Sequence, residues 1–216
     1  MKFIAVSLLA TCMACAPAAF AKDSLPFTIL STSLDAHVKL RSLPDFSFVE
    51  RSGKKITLVD LRGNVWIANF IYTHCTDTCP LQTADMAALQ DRWMNESGLK
   101  LVSFSVDPER DTPAILARYA KRFKADPRQW LFLTGGKEEI ARLVEDGFRL
   151  VVATPPHGDH GIIVHSPRFV LVDQQGRIRG YYDNRDPKAM QRLKDDAANL
   201  LPQHPPLFRG IPARKF

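Results

Sequence analysis

Apolar and polar residues alternate with two different periods along the middle of the chain, and the change of period separates predicted strands from predicted helices. Residues 65–72 are nearly all apolar, as expected of a central strand buried on both faces. Residues 99–106 alternate and predict a second central strand, and residues 130–133 predict a shorter one. Two short runs at 46–49 and 56–59 flank a turn and predict a pair of strands near the start of the domain.

Helical spacing of apolar residues appears between and after these strands. The spacing predicts helices over residues 80–95, 112–124, 136–147 and 186–200. Thr112 and Pro113 supply a capping side chain and a first-turn proline to the second helix. The last helix is expected to start at Asp186-Pro187.

The C-terminal half adds a loop and a hairpin to this pattern. Residues 152–161 are rich in Pro, Gly and His and predict a loop. Residues 169–172 and 177–182 flank a turn and predict an antiparallel hairpin. The order of elements predicts a three-layer α/β domain whose mixed sheet is parallel at the centre and antiparallel at one edge, flanked by helices. That order fits a thioredoxin-like fold.

The two ends of the chain differ from this domain. Residues 1–21 combine Lys2, an apolar run and an A-x-A site, which predicts a cleavable signal peptide and an exported, periplasmic protein. An uncleaved membrane anchor, or a lipid on Cys12 or Cys15, is the alternative. We expect residues 22–42 to be a loosely ordered lead-in, residues 43–200 to form the domain, and the proline-rich residues 201–216 to be an unpacked tail.

Composition and charge narrow the functional classes. The chain has 216 residues, of which 45% are hydrophobic, and this composition suits one globular domain. Its formal net charge is +6, but the basic clusters are short and lack a pattern of stacking aromatics, so nucleic acid is not an expected partner. The basic surface could instead face an acidic partner or an anionic membrane surface.

The chemistry of the domain centres on two cysteines. Cys75 and Cys79 follow the first central strand, and Pro80 stands where a helix can start. The chain has four cysteines, and the other two lie within the predicted signal peptide. Removal of that peptide would leave this pair as the only thiols in an oxidising compartment. The pair can close a disulfide or bind a soft metal ion, and a helix N-terminus beside it should stabilise thiolates.

The C-x-x-x-C spacing is one residue longer than the usual dithiol oxidoreductase motif. Two thiolates are too few for a closed zinc site but suit Cu(I), which accepts soft ligands at low coordination number. His165 is the expected third ligand, because the hairpin that it introduces should lie beside the central strand. His74 adjoins Cys75 but should point elsewhere, since neighbours on an extended chain face opposite ways.

Three motifs together resemble those of the Sco/SenC copper proteins over residues 43–200. They are residues 70–75 (FIYTHC) with Cys79-Pro80, residues 105–113 (SVDPERDTP), and residues 164–166 (VHS) followed by Leu171-Val172-Asp173 and Gly176. The resemblance implies a thioredoxin-like protein that helps to assemble the copper site of cytochrome c oxidase. It also implies that Cys75, Cys79 and His165 bind copper and that the cysteines interconvert with a disulfide.

Three functions therefore remain open for the dithiol. The leading hypothesis is a monomeric metallochaperone that carries Cu(I), with Cu(II) as an alternative, to the copper-bearing subunit of a respiratory oxidase or to another copper chaperone. The second is a thiol–disulfide reductase that keeps a partner's copper-site cysteines reduced. The third is a thiol peroxidase. A purely structural disulfide is the bland alternative, and it would stabilise little because its loop is very short.

Two further polar clusters have a structural and a functional interpretation. Residues 107–111 (DPERD) are expected to be mainly structural, with Asp111 or Thr112 capping the next helix and Arg110 pairing locally. A role of this cluster near the dithiol is the alternative. His157, Asp159 and His160 are expected to belong to a flexible polar loop, with a secondary metal-capture patch as the alternative.

Overall fold

The structure is a computed structural model that describes residues 41–75, 78–94, 96–153, 163–164 and 167–202. The strands in these ranges are β1 (Ser47–Glu50), β2 (Lys55–Thr57), β3 (Val65–Ile71), β4 (Leu99–Ser105), β5 (Trp130–Thr134), β6 (Val152–Ala153), β7 (Ile163–Val164), β8 (Arg168–Val172) and β9 (Ile178–Asp183). The helices are α1 (Leu58–Leu61), α2 (Thr78–Arg92), α3 (Pro113–Arg122), α4 (Lys137–Arg142) and α5 (Pro187–Leu200). The predicted signal peptide and nearly all of the lead-in and tail lie outside the described residues.

The main sheet has the strand order β2-β1-β5-β4-β3-β8-β9. Its centre is parallel, with β4 between β3 and β5. The β8–β9 hairpin is antiparallel to β3, as the sequence predicts. Helices cover both sides of this sheet, which confirms the predicted thioredoxin-like α/β fold.

Antiparallel pairing occurs at both edges of the sheet, whereas the sequence predicts it at one. β1 pairs antiparallel with β2 and also with β5, where Val49 lies opposite Thr134. A short turn joins β1 and β2, so their pairing can be predicted from residues that are close together in the chain. The pairing of β1 with β5 joins residues far apart in the chain, so no local pattern reveals it.

The predicted strand at 56–59 is wrong beyond Thr57. The chain turns there into the short helix α1, because the Thr57 side chain accepts a hydrogen bond from the Asp60 N–H. In return, the Thr57 N–H donates to Asp60 Oδ2 at 2.8 Å. This reciprocal capping box satisfies two backbone donors at the helix start and outweighs the strand preference of the apolar residues.

Two other elements differ from the prediction. The helix expected over 136–147 is α4 followed by a π-helical turn, Leu143–Gly147, in which the Phe148 N–H donates to the Leu143 carbonyl at 2.9 Å. The wider turn adds one residue and carries Phe148 into the core, where it is fully buried. The predicted loop at 152–161 begins with β6, which pairs with β7 in a separate two-stranded sheet.

The sheet separates two buried clusters. On one side lies the aromatic face, with Phe48, Trp66, Phe104 and Phe148 under α1 and α4. On the other lies the mixed face, where apolar residues such as Ile67 and Leu101 pack under α2, α3 and α5. Trp66, Phe70 and Trp93 are core residues, because each is at most 5% exposed. Among the described residues, no helix has both the length and the apolarity to cross a membrane.

Candidate metal and redox site

The dithiol lies at the carboxyl end of the central strand, as the sequence predicts. β3 ends at Ile71, and α2 begins at Thr78 rather than at Pro80, so Cys79 belongs to the first turn of the helix. Cys75 is 9% exposed and Cys79 is 7% exposed, and no disulfide joins them. The Cys79 N–H donates to Cys75 Sγ at 3.4 Å, so the helix start faces the sulfur of the earlier cysteine.

Burial dominates the electrostatics of Cys79. It raises the pKa of the Cys79 thiol to about 12, against the opposing effect of a hydrogen bond from the Tyr72 backbone. The pKa of Cys79 is raised further by a hydrogen bond with the Cys75 side chain and by the negative charges of Cys75 and Asp111. At Cys79, burial therefore outweighs any stabilisation of a thiolate by the helix N-terminus. At neutral pH Cys79 is a thiol, and it must release a proton before it can bind a metal ion or attack a disulfide.

A buried carboxylate anchors the segment that leads to Cys75. Asp111 is fully buried and accepts hydrogen bonds from the Thr73 N–H at 3.1 Å and from Thr73 Oγ1 at 2.5 Å. It also accepts one from Ser105 Oγ, at the end of β4, at 2.7 Å. Hydrogen bonds to a charged acceptor are stronger than neutral ones, so Asp111 ties the chain firmly two residues before Cys75.

A different pair of side chains anchors Cys79. Thr83, one turn along α2, donates from Oγ1 to the Cys79 carbonyl at 2.7 Å. Its oxygen lies 2.9 Å from the hydroxyl of Tyr119 in α3. Burial raises the pKa of Tyr119 to about 12, and the charges of both cysteines act in the same direction. Tyr119 therefore lies close behind the dithiol as a neutral hydroxyl.

These contacts revise the interpretation of residues 107–111. Thr112 is the cap of α3, because its side chain accepts a hydrogen bond from the Ile115 N–H. Asp111 does not serve as that cap, since its carboxylate reaches across to Thr73 instead. Arg110 lies 3.9 Å from Asp107, which agrees with the expected local pairing. Asp111 thus lies beside the segment that leads to Cys75, and a functional role for it near the dithiol stays a prediction.

The predicted histidines have different outcomes. His74 is 53% exposed in its side chain, and its Nδ1 lies 3.4 Å from Thr73 Oγ1 and 3.9 Å from Asp111 Oδ1. His165, the predicted third ligand, lies outside the described residues, as do His157 and His160. β8 begins shortly after position 165 and pairs with β3 beside it, with Ala68 opposite Val170. The ligand role of His165 stays a prediction.

The donor set at the end of β3 suits a soft ion. Two sulfurs that are nearly excluded from water can replace the hydration shell of Cu(I), which prefers thiolates to oxygen ligands. Within the described residues, no group of three or more His, Cys, Asp or Glu side chains is arranged to hold a metal ion. Among these residues, the two thiols are therefore the soft donors that the structure places together.

A family model and a similar protein of known family agree with each other. A family model described as SCO1/SenC matches residues 35–200. The SCO1 protein homolog of Bacillus subtilis (strain 168) is 36% identical over 140 residues, which are 64% of this chain and 72% of that protein.

Two solved structures share the fold. One is the structure of BsSco, which is described as having a disulfide switch and as a member of the Sco family of cytochrome c oxidase assembly proteins. BsSco is 31% identical to this chain, and the match has a TM-score of 0.65 over 75% of this chain and 94% of that one. The other is ScoI of Bradyrhizobium japonicum with copper bound, which is 30% identical, with a TM-score of 0.58 over 71% of this chain and 98% of that one.

Proposed function

Because the chain belongs to the SCO1/SenC family, we propose that it binds Cu(I) through Cys75, Cys79 and His165 and helps to assemble the copper site of a respiratory cytochrome c oxidase. The observation that carries the proposal is the pair of buried sulfurs at the end of β3, linked by the Cys79 N–H···Sγ contact. The copper-bound relative and the relatives described as oxidase assembly proteins support it.

Copper is the cargo of this protein and is transferred by ligand exchange. Uptake displaces the proton of Cys79, because the raised pKa keeps this residue a thiol beforehand. Thiols of the receiving protein then replace Cys75 and Cys79 one at a time, and the proton returns to Cys79. We propose the copper-bearing oxidase subunit, or another copper chaperone, as the receiver. The protein acts as a monomer, either exported to the periplasm or tethered to the membrane.

A thiol–disulfide reductase is the second candidate, favoured by the asymmetry of the two cysteines. The Cys79 N–H stabilises negative charge on Cys75 Sγ, whereas burial keeps Cys79 protonated. Cys75 would attack a partner disulfide and form a mixed disulfide, releasing one partner thiol. Cys79 would then lose its proton and attack Cys75, which frees the second partner thiol. Two electrons pass to the partner, and this protein ends as the Cys75–Cys79 disulfide.

Anaerobic titration of the purified, reduced protein with Cu(I), against a chromophoric chelator, tests the leading proposal. We expect one copper per chain, retained with high affinity. Cys75→Ser and Cys79→Ser should each abolish this retention, and His165→Ala should weaken it at least about tenfold, because each ligand adds a bond to a soft ion. His204→Ala is the matched control for loss of a histidine and should bind normally.

Two results would overturn the copper proposal. One is a reduced wild-type protein that fails to bind stoichiometric copper. The other is equal binding by the His165→Ala and His204→Ala variants, which would remove His165 from the site. Catalytic reduction of a partner disulfide by metal-free protein, with Cys75→Ser inactive, would favour the reductase instead.

A further inference from the structure

One helix, α3, is connected to both sides of the cysteine loop. Asp111 directly precedes the cap of α3 and holds Thr73, two residues before Cys75. Tyr119 lies within α3 and contacts Thr83, whose hydroxyl holds the carbonyl of Cys79. The two cysteines are thus tied to the same helix through separate hydrogen-bonded links.

The first link, which we name the Asp111 brace, consists of Asp111, Thr73 and Ser105. The carboxylate is fully buried and accepts three hydrogen bonds, from the Thr73 N–H, Thr73 Oγ1 and Ser105 Oγ. Loss of a hydrogen bond to a buried carboxylate costs free energy, so the brace resists displacement of Thr73. It fixes the segment by which the chain leaves β3 and reaches Cys75.

The second link, which we name the Tyr119 brace, consists of Tyr119, Thr83 and the Cys79 backbone. Thr83 uses its one hydroxyl proton on the Cys79 carbonyl, so Tyr119 must donate to Thr83 Oγ1. All three residues are buried. At the far end of α2, Gln90 accepts from the Asp126 N–H at 2.7 Å, in the segment that follows α3. α2 is therefore held against α3 or its continuation at both ends.

We propose that α3, through these two braces, is the positioning element that sets the separation of the Cys75 and Cys79 sulfurs and disfavours closure to the disulfide. A disulfide requires the sulfurs to approach to about 2 Å. No disulfide joins Cys75 and Cys79 in the structure, so closure requires the two sulfurs to move toward each other. The two braces hold the two sides of the loop, so closure would have to displace Thr73 or the Cys79 backbone against these hydrogen bonds.

The inference deepens the proposed function, because a dithiol kept open is ready to accept copper, but its main test needs no metal. Equilibration with glutathione measures closure directly. The Cys75 and Cys79 thiols lose two electrons and two protons as their S–S bond forms. Glutathione disulfide accepts them as its own S–S bond breaks, which yields two glutathione thiols.

Thr73→Val and Tyr119→Phe each remove one hydroxyl and keep the side-chain volume. We expect each variant to favour the disulfide about tenfold over wild type in glutathione buffers, equivalent to about −30 mV. The double variant should combine both shifts, because the braces share no residue. Quenched thiol-trapping and mass analysis give the ratio of dithiol to disulfide.

Two control variants separate positioning from a general loss of stability. Thr57→Ala removes the capping box of α1, which packs on the aromatic face and shares no residue with either brace. Tyr182→Phe removes a buried hydroxyl that donates to Asp196 in α5. Both controls should lower the melting temperature, yet their glutathione equilibria should stay within about twofold of wild type.

Equal equilibria in the brace variants and the controls would overturn the inference, as would a shift of the brace variants toward the dithiol. Copper dissociation into a chelator provides the second readout, and the brace variants should release copper several-fold faster than the controls. If wild type binds no copper, the proposed function fails while the glutathione result still decides the role of α3. If wild type binds copper and the brace variants match the controls in both measurements, the positioning role alone fails.

Discussion

The two faces of the central sheet are built from the same strands but differ in chemistry. β3 sends Trp66 and Phe70 to the aromatic face and Ile67 and Asn69 to the mixed face. On the aromatic face, the ring of Phe104 lies within 6.4 Å of five other rings. On the mixed face, buried polar side chains stand among the apolar ones and approach the end of the sheet that bears the dithiol.

This difference follows the strands along their length. The residues of β4 that face the mixed side change from Leu99 and Leu101 to Ser103 and Ser105 toward the carboxyl end. Ser103 donates to Asn69 Oδ1 at 2.6 Å, and Ser105 donates to Asp111 at 2.7 Å. The aromatic face can stabilise the fold without directional contacts, whereas the mixed face uses hydrogen bonds to fix the loops beyond the strands. We therefore expect the two faces to respond differently to substitution.

Phe104→Ala should have the largest effect on stability. The substitution removes the ring at the centre of the aromatic face, where Phe104 is 1% exposed, and it leaves a cavity. We expect the free energy of unfolding to fall by about 3–5 kcal/mol. Urea denaturation measures this loss. The dithiol–disulfide equilibrium of the folded fraction should stay at the wild-type value, and a large shift in it would show that the two faces are coupled.

The pH dependence of stability should reveal the buried thiol at Cys79. Burial raises its pKa from 9.0 to about 12, so between these values the folded protein holds a proton that the unfolded chain releases. The resulting stabilisation is complete below about pH 9 and is lost as the pH rises toward about 12. Each unit of pKa difference corresponds to about 1.4 kcal/mol.

Denaturation at a series of pH values, compared between wild type and Cys79→Ser, isolates this contribution. The comparison is needed because burial also raises the pKa of Tyr119, from 10.0 to about 12, in both proteins. The stability difference between the two proteins should shrink above pH 9. A difference that is constant with pH would mean that the thiol is not buried as described.

Ser103→Ala should have a smaller effect, of about 1–3 kcal/mol. Ser103 donates to Asn69 Oδ1 and accepts from Trp130 Nε1 at 2.9 Å, so its loss leaves both partners buried without this bond. For this variant we measure both the urea denaturation midpoint and the dithiol–disulfide equilibrium in glutathione buffers. The Asp111 brace does not include Ser103, and we expect the dithiol to keep its wild-type equilibrium. A stability change below about 0.5 kcal/mol would contradict the view that this polar contact matters.

Thr57→Ala should have the smallest effect, a loss of about 1 kcal/mol. It removes the capping box of α1, whose Leu58 and Leu61 pack on the aromatic face. Thr57→Ser keeps the hydroxyl and should restore most of the stability, which a thermal melt can follow. If Thr57→Ser is as unstable as Thr57→Ala, the methyl group rather than the cap is responsible.

Local patterns in the sequence were sufficient for most individual elements. The apolar run of β3, the Thr112-Pro113 start of α3 and the hairpin of β8 and β9 all depend on residues close together in the chain. The same holds for the dithiol, since spacing and the strand-to-helix junction are local properties. Errors arose where two local tendencies compete, as at Thr57, where a capping box prevailed over strand preference.

What the sequence alone determined is the chemistry: two cysteines at the end of a buried strand, in a family-specific arrangement, within an α/β domain. What only the tertiary structure decided is how those cysteines are held. Asp111 meets Thr73 across 38 positions, and Tyr119 meets Thr83 across 36. Such contacts exist because parallel pairing of β3 and β4 brings the carboxyl ends of both strands to the same end of the sheet. Pairing of distant strands depends on the whole core and not on the residues near Asp111. The local sequence there indicates only a helix start. The fold is what brings Asp111 into contact with Thr73, beside the dithiol.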